Sequence, residues 1–298
     1  MVRELPLGDE RPFPHLRSHV RGTSLHTAYR RARAWYGARR ETSTLASVRT
    51  YCLFLGHARS GHSIVGALLD AHPQIAIADE VLSVRSIDRG LSRDEVLWWS
   101  LDVARDQARR RRLKRGRGDR VYSYQVPGQW QGRTRDLRVV GTSDAGRTVR
   151  ALSNDPQLLD RVRRRLHGLE LTFIHVIRNP YDNIATMMLR SGRTFDSAVE
   201  RYFENWRLIE QLRIRIGRDA VIGVRHEDLV SRPRVELDRL CDFLGVDAPE
   251  EYLDACAGIL FPSQSRTRHS IDWTDAQRRR IDDGIAEFDA LHGYSINA

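Results

Sequence analysis

The amino-acid sequence predicts an α/β fold with a central parallel sheet of about five strands, flanked by helices on both faces. Short apolar segments alternate along the chain with longer segments of helical periodicity, as is typical of parallel strands joined by crossover helices. Residues 171–177 are almost continuously apolar, which is expected of a central strand buried on both faces. The chain of 298 residues is long enough to enclose a large core.

Each predicted strand ends in a polar or glycine-containing segment. The strands are predicted at residues 50–55, 75–77, 137–141, 171–177 and 220–225. Helices are predicted from residue 61 to before the His-Pro pair at 72–73, from capping boxes at 92–95 and 274–277, from Pro156 to about 167, across 181–189 and 195–216, and from Pro233 to 244. Residues 142–148 are predicted to form a polar loop. Ligand-binding residues are expected where the parallel strands end, because those ends share one edge of the sheet.

The composition favours a soluble cytoplasmic protein. Hydrophobic residues make up 41% of the chain and charged residues 30%, as in globular proteins. No apolar run approaches the roughly 20 residues of a membrane-spanning helix, and the N-terminal residues lack the apolar core of a secretory signal. Cys52, Cys241 and Cys256 show neither disulfide nor zinc spacing, so we expect reduced thiols.

The net charge of +10 makes nucleic acid, a membrane surface or an anionic small molecule candidate partners. Lys114 is the only lysine, so arginine or histidine must fill any cationic role that lysine usually takes. Because an arginine bias partly reflects genome composition, charge alone does not lead us to expect nucleic-acid binding. The basic run from Arg109 to Arg117 is either a solvated helix end or a lid over an anionic ligand.

Residues 1–46 are predicted to form an arginine-rich N-terminal arm that precedes a domain at 47–298. We expect the arm to pack on the domain or on a partner subunit, with contact to a membrane surface or nucleic acid as the alternative. Within it, residues 26–40 predict a helix that places four side chains on one side: Ala28, Ala32, Trp35 and Tyr36.

The loop at residues 56–63 carries the strongest functional signal. Its sequence, Gly-His-Ala-Arg-Ser-Gly-His-Ser, joins the first strand to an apolar helix. A helix start leaves backbone N–H groups unpaired and so favours an anion. The spacing is close to the phosphate-binding pattern G-x-x-x-x-G-K-S, with His62 in the place of the lysine.

Other predicted strand ends add groups to the same edge. Arg178 ends the fourth strand, and Asp79 and Glu80 follow the second. Arginines at two strand ends, Arg59 and Arg178, indicate a ligand with two separated anionic groups, because a guanidinium binds phosphate or sulfate oxygens in pairs. Hydroxyl donors are available from Ser60, Ser63 and Thr186.

These motifs resemble those of the sulfotransferases that use 3'-phosphoadenosine 5'-phosphosulfate (PAPS), a family with a P-loop-nucleotide-kinase-like fold. That family has a G-x-x-R-S-G-T-[ST] loop for the 5'-phosphosulfate, from which this chain departs only at His62. Its second signature, a strand ending in R-[ND]-P with a hydroxyl residue eight positions after the arginine, matches Arg178-Asn179-Pro180 and Thr186. Softer matches occur at 224–230 and between 265 and 294, so the resemblance covers most of the chain.

The resemblance implies a set of cofactor-binding residues and two catalytic ones. The binding residues are Gly56, Arg59, Ser60, Gly61, His62, Ser63, Arg178, Thr186, Arg266 and Arg268. Arg59 would also stabilise the leaving oxygen, and Glu80 would be the base, since protein-tyrosine sulfotransferases place a glutamate where Glu80 stands. Cytosolic members use a histidine that is missing here at 141–144. Asp144, His57 and His62 stay open as alternative bases.

The predicted function is metal-independent transfer of a sulfuryl group from PAPS to a hydroxyl or amine acceptor, which releases adenosine 3',5'-bisphosphate. The acceptor, a small molecule, a glycan or a peptidyl tyrosine, would be bound by variable residues near 81–135, and a homo-oligomer stays open. A P-loop-like kinase is one alternative, but it requires a lysine and a Mg²⁺-binding acid where this chain has His62 and Arg178. A basic nucleic-acid-binding protein is the other.

Overall fold

The computed structural model of the chain describes residues 24–79, 84–88, 90–115, 121–260 and 266–298. Glu80, residues 1–23 of the arm and the end of the basic run at 116–117 lie outside these ranges, so what we predict for them stays a prediction.

Five parallel strands form the central sheet. The strands of the chain are β1 (Thr50–Gly56), β2 (Ile75–Ala78), β3 (Leu113–Arg115), β4 (Val121–Ser123), β5 (Val139–Thr142), β6 (Glu170–Ile177) and β7 (Val221–Arg225). The sheet has the order β2-β5-β1-β6-β7, and every neighbouring pair is parallel. The strands β3 and β4 pair separately as an antiparallel hairpin. The predicted α/β fold class is therefore confirmed, with all five predicted strands in the sheet.

Helices cover both faces of the sheet. They are α1 (Ser24–Arg40), α2 (Thr42–Ala46), α3 (His62–Leu69), α4 (Val84–Asp88), α5 (Arg93–Arg109), α6 (Ala145–Asn154), α7 (Leu158–Arg165), α8 (Pro180–Ser191), α9 (Phe195–Ile216), α10 (His226–Ser231), α11 (Pro233–Phe243), α12 (Glu250–Ile259) and α13 (Asp275–Ala286). Among the described residues, none of these helices has the length and apolar character that crossing a bilayer requires. The capping boxes predicted at Ser92 and Thr274 are both formed.

The central strand β1 contributes to two cores because its side chains alternate between the faces of the sheet. Tyr51, Leu53 and Leu55 pack with α1, α5, α7 and α9 on one face. Cys52 and Phe54 pack with α3, α11 and α12 on the other. Every residue of β1 is buried, and burial of each large apolar side chain contributes about 1.5–3 kcal/mol. The loop that follows β1 thus starts from a fully buried strand.

The structure corrects two predictions between β5 and β6. Residues 145–148, predicted as part of a polar loop, belong to α6, whose N-cap residue is Asp144. Thr148 lies on the buried side of this helix with the apolar residues, so the amphipathic pattern is broader than apolar side chains alone indicate. The helix predicted from Pro156 begins two residues later, at Leu158. Asp155 is extended and ends α6, because the residue before a proline disfavours the helical conformation.

Helix α1 forms where a helix is predicted, and the side that carries Trp35 and Tyr36 is not the one that packs on the domain. Ala34 is fully buried, whereas Trp35 and Tyr36 are exposed. A Cβ atom on Gly37 would lie 1.9 Å from Cε2 of Trp98, so the helix approaches α5 too closely for large side chains. The small residues therefore face inward, and the predicted aromatic side is the outer one.

Candidate functional site

Polar side chains follow the carboxyl ends of all five sheet strands. Because the strands are parallel, these ends lie along one edge of the sheet. The residues that follow them are Arg59 and Ser60 after β1, Asp79 after β2, Ser143 after β5, Arg178 after β6 and His226 after β7.

The loop after β1 depends on two glycines. Gly56 and Gly61 have φ angles of 140° and 102°, which glycine adopts without a steric penalty. A Cβ atom on Gly56 would lie 2.8 Å from the Val176 carbonyl oxygen, and one on Gly61 would lie 3.0 Å from the His226 ring. Gly61 is also the N-cap of α3 and has no side-chain cap. The first N–H groups of α3 are thus directed toward the loop, as in anion-binding helix starts.

Arg178 ties the end of β6 to this loop. Its Nη1 donates to the main-chain oxygen of Arg59 at 3.2 Å, and its Nη2 lies 3.8 Å from the carboxylate of Asp182. Arg178 is only 9% exposed, while the Arg59 side chain is exposed. The structure therefore brings together Arg59 and Arg178, which the sequence predicts at two strand ends of one sheet.

The Arg-Asn-Pro motif is fixed from three sides. Asn179 caps α8 by accepting a hydrogen bond from the Tyr181 N–H at 3.0 Å, and its amide donates to the Ser295 carbonyl at 2.8 Å. Its main-chain N–H donates to Glu227 at 3.0 Å, and the Tyr294 hydroxyl donates to the same carboxylate at 2.7 Å. Burial and the charge of Glu227 raise the pKa of Tyr294. These contacts fix the backbone at Asn179 and thereby the position of Arg178 at the end of β6.

Asp79 links the other side of the loop to β5. Its Oδ1 accepts hydrogen bonds from Ser63 at 3.0 Å and from Ser143 at 2.9 Å. The Gln107 side chain bonds both the N–H and the carbonyl of Asp79, at 2.8 and 2.7 Å. The start of α3 and the end of β2 are consequently held in register. Glu80, the predicted base, is the next residue after this anchored position.

Thr186 and Arg268 are both held by Asp182. The Thr186 hydroxyl donates to the Asp182 carbonyl at 2.7 Å. Arg268 is fully buried, with its Nη1 2.6 Å and its main-chain N 2.8 Å from the Asp182 carboxylate. Its other guanidinium nitrogens donate to the main-chain oxygens of Ile296 and Ala298. This geometry favours a positioning role for Arg268, whereas Arg266 is exposed beside it.

The alternative bases are held in other environments. His57 is buried with its ring stacked on Tyr202 at 4.1 Å, and its Nε2 lies 2.9 Å from the Tyr202 carbonyl oxygen. Burial lowers the pKa of His57 to about 4, which makes it a poor proton acceptor. Asp144 is buried at the N-cap of α6, 3.5 Å from Arg147. His62 is also buried.

Sequence reasoning assigned no role to His226. This residue begins α10, and its ring lies against Gly61. Burial, and then the positive charge of Arg178, lower the pKa of His226. The signal was available in the sequence, because His226 follows the last predicted strand, and the end of that strand lies on the same edge as Arg178.

An aromatic pair lies at the rim of the same region. The Tyr122 and Tyr124 rings have centroids 5.2 Å apart. Burial raises the pKa of Tyr124, the Asp79 carboxylate adds to the rise, and Arg59 opposes it. The Tyr124 main-chain N–H donates to the Arg112 carbonyl at 3.3 Å, and the Arg112 guanidinium donates to the Ile77 carbonyl of β2 at 2.9 Å. Within the described part of the chain, no group of three or more metal-ligating side chains is close enough to hold a metal ion.

Residues 170–250 match the model of a protein family described as the sulfotransferase family. This segment contains β6, Arg178, Thr186 and β7. No curated protein matches the chain in sequence. The match confirms, for this segment, the resemblance that its motifs indicated.

Solved structures of sulfotransferases are similar in fold. The sulfotransferase domain of the Synechococcus PCC 7002 olefin synthase is 20% identical, with a TM-score of 0.50 over 81% of this chain and 96% of that one. A sulfotransferase domain from the curacin biosynthetic pathway is 16% identical, with a TM-score of 0.48 over 80% and 97% of the two chains. A mouse sulfotransferase complexed with PAP is 12% identical, with a TM-score of 0.40 over 82% and 87%. The first of these similarities shows that the chain has the fold of a sulfotransferase domain.

Proposed function

We propose that the protein is a sulfotransferase, which transfers a sulfuryl group from PAPS to a hydroxyl or amine acceptor. One observation carries the proposal. Arg178, which lies inside the segment that matches the sulfotransferase family, donates to the Arg59 carbonyl of the loop at the start of α3. The loop after β1 and the end of β6 therefore form one site. PAPS requires such a site, because it carries two separated anionic groups.

The loop after β1 fits the 5'-phosphosulfate. The Ser60 hydroxyl is buried, and among the described residues it has no hydrogen-bond partner. The helix start at Gly61, His62 and Ser63 offers main-chain N–H groups, and Arg59 adds an exposed cation. Such a donor set suits an oxyanion, because leaving a buried hydroxyl unpaired costs about 1–3 kcal/mol.

The end of β6 fits the 3'-phosphate. Arg178 supplies a charged, mostly buried donor, with Thr186 two turns along α8 on the same buried segment. We assign Arg266 as a further phosphate ligand because it is exposed next to this segment. Arg268 and Asp182 are assigned as positioning residues, since their charges are paired with each other.

PAPS would supply an activated sulfuryl group. The residues of the site position the reactants and stabilise the charge that develops during transfer. The acceptor oxygen forms a bond to sulfur as the bond from sulfur to the bridging oxygen breaks. Arg59 and the N–H groups of α3 stabilise the charge that develops on the departing oxygen. We assign Glu80 as the base that takes the acceptor proton. Asp79, the residue before Glu80 in the sequence, is fixed by Ser63 and Gln107.

The acceptor is assigned to the side of the site formed by β4 and the residues after it. Tyr122 and Tyr124 lie there, within the segment predicted to bind the acceptor. Small molecules, glycans and peptidyl tyrosine remain the candidate acceptor classes. We also propose a cytoplasmic location, because all three cysteines are free and buried.

A thermal-shift panel separates this function from its alternatives. Adenosine 3',5'-bisphosphate should raise the melting temperature, since a ligand at 100 times its Kd stabilises the folded state by about 2.7 kcal/mol. A shift with ATP and Mg²⁺ only would indicate a kinase, and a shift with an oligonucleotide only would indicate a nucleic-acid-binding protein. No shift with the bisphosphate would refute the proposal.

Two variants test the residue assignments. Arg178→Ala should weaken bisphosphate binding about 10- to 100-fold, because a charge-assisted hydrogen bond contributes about 1.5–3 kcal/mol. Arg164→Ala, an exposed arginine on α7, is the control. Glu80→Gln should retain binding, measured by calorimetry, and lose turnover about 100-fold or more in a radiolabelled sulfate transfer assay. Unchanged turnover would remove Glu80 as the base.

A further inference from the structure

Helix α1 is attached to the domain by its inner face. Ala34 is fully buried there, and Gly37 lies directly against the Trp98 ring. Arg33 extends from the edge of this face and donates to both carboxylate oxygens of Asp102, at 2.9 and 2.8 Å. The orientation of α1 about its own axis is therefore fixed by close packing and by an ion pair.

This orientation leaves three aromatic side chains in solvent. Tyr29 is 64% exposed, Trp35 50% and Tyr36 57%. Among the side chains that the structure describes, no other aromatic residue is exposed to this degree. Exposed large side chains beside buried small ones reverse the usual pattern of a surface helix, in which the apolar side faces the core. Such a face indicates an interaction surface.

The same helix is strongly basic. Its sequence contains five arginines and no acidic residue. Arg39 and Arg40 end it and are exposed, so the positive charge is placed beside Trp35 and Tyr36. A partner for this face must accept aromatic side chains and carry negative charge.

The arrangement of the rings distinguishes between two such partners. The guanidinium carbon of Arg39 lies 4.2 Å from the centroid of the Trp35 ring, and that of Arg40 lies 5.6 Å from the Tyr36 ring. Arg40 also donates to the Tyr36 hydroxyl at 3.2 Å. Stacking of nucleic-acid bases on these rings would require displacing the arginines. Tryptophan and tyrosine side by side with arginine are instead typical of segments that lie at the headgroup level of a membrane.

We propose that the outer face of α1, formed by Tyr29, Trp35, Tyr36, Arg39 and Arg40, docks on an anionic lipid surface. Arg39 and Arg40 meet the negatively charged headgroups, and the aromatic rings enter the boundary between headgroups and acyl chains. The inference does not depend on the proposed transfer reaction. It gives the N-terminal arm two roles, because its inner face packs on the domain and its outer face binds lipid.

Vesicle sedimentation of the full chain tests the electrostatic part. The protein should bind vesicles of phosphatidylcholine and phosphatidylglycerol in equal amounts, but not phosphatidylcholine alone, and binding should weaken as salt increases. Arg39→Glu with Arg40→Glu should reduce binding at least about 30-fold, since each basic residue near an anionic surface contributes about 1 kcal/mol. Arg164→Glu with Arg279→Glu makes the same change in net charge elsewhere and should have a much smaller effect.

A second pair of variants tests the aromatic part. Trp35→Ser with Tyr36→Ser should reduce vesicle binding at least about 10-fold, because both changes remove apolar area from the contact. Ile214→Ser, at a side chain of α9 that is 75% exposed, removes apolar area on another helix and should leave binding unchanged. All altered positions are exposed, and matching melting temperatures of the variants verify that each is folded.

Three results would overturn the proposal. In the first, the wild-type protein fails to bind the anionic vesicles. In the second, both α1 variants bind the vesicles as well as their controls do. In the third result, the α1 variants change the binding of a labelled single-stranded oligonucleotide, or dimer formation measured by sedimentation equilibrium, but do not change vesicle binding. The surface would then belong to a nucleic acid or to a second copy of the chain.

Discussion

Asp182 offers the sharpest test of how the site is held together. The residue is fully buried, and its carboxylate accepts hydrogen bonds from the main-chain N and from Nη1 of Arg268, at 2.8 and 2.6 Å. Arg268 is fully buried as well, so each charge is the chief compensation for the other. Asp182→Ala removes the carboxylate and leaves the guanidinium with only the main-chain oxygens of Ile296 and Ala298 as partners.

The expected cost follows from this geometry. Breaking a buried ion pair by removing one partner destabilises a protein by about 3–5 kcal/mol, because an uncompensated charge stays buried. The loss of a main-chain acceptor adds to it. Asp182→Ala should therefore lower the free energy of unfolding by about 4 kcal/mol in urea denaturation. Bisphosphate affinity should fall as well, because Asp182 also lies 3.8 Å from Arg178.

A double replacement separates the charge effect from a packing effect. Asp182→Leu with Arg268→Met exchanges the ion pair for apolar side chains, a change that is often neutral or stabilising. The double variant should recover most of the stability that Asp182→Ala loses. A loss below about 1 kcal/mol for Asp182→Ala, or a double variant that is no more stable than the single one, would contradict the role given to this pair.

Two further predictions concern the loop after β1. Burial lowers the pKa of His57 from 6.5 to about 4. Between these pH values the unfolded chain therefore binds more protons at this residue than the folded protein does. Stability should thus fall as pH decreases from 6.5 to 4, by up to about 3 kcal/mol for this residue. His57→Gln should flatten that part of the pH profile of unfolding, and an unchanged slope would contradict the assignment. Gly61→Ala should weaken bisphosphate binding more than 10-fold and cost about 1–3 kcal/mol, since the new Cβ would press on the His226 ring. Gly192→Ala is the control, because Gly192 is also left-handed, with φ of 61° and ψ of 25°, and has no neighbour within 4 Å of its Cβ position; equal losses of stability would contradict a role for the contact with His226.

The sequence was sufficient to predict the sheet and the strand ends. Apolar runs that stop at glycine or at a charged residue locate β1 and β6, and parallel pairing then places Arg59 and Arg178 on one edge. It was not sufficient to predict the role of Arg268. The contact between Arg268 and Asp182 joins residues 86 positions apart, and nothing local distinguishes a buried arginine from one that binds phosphate.

Packing also decided which side of α1 faces inward. Helical periodicity alone favours burial of the larger side chains, and on that basis Trp35 and Tyr36 would lie inside. The Trp98 ring of α5 occupies that space and admits only Gly37 and alanine neighbours. Packing also decides the structure of α6. Its polar residues are typical of a loop, but Thr148 is buried on the inner side of the helix.

The position of β1 has a consequence for hydrogen exchange. Its amides are hydrogen-bonded within the sheet between β5 and β6, and every residue of the strand is buried. Such amides exchange only when the whole domain unfolds, whereas loop amides exchange through local opening. A ligand in the loop should therefore slow exchange in β1 by its full contribution to global stability. The difference between the protection factors of the β1 amides and of the amides in the loop at residues 56–63 would measure how much more readily the loop opens than the domain unfolds.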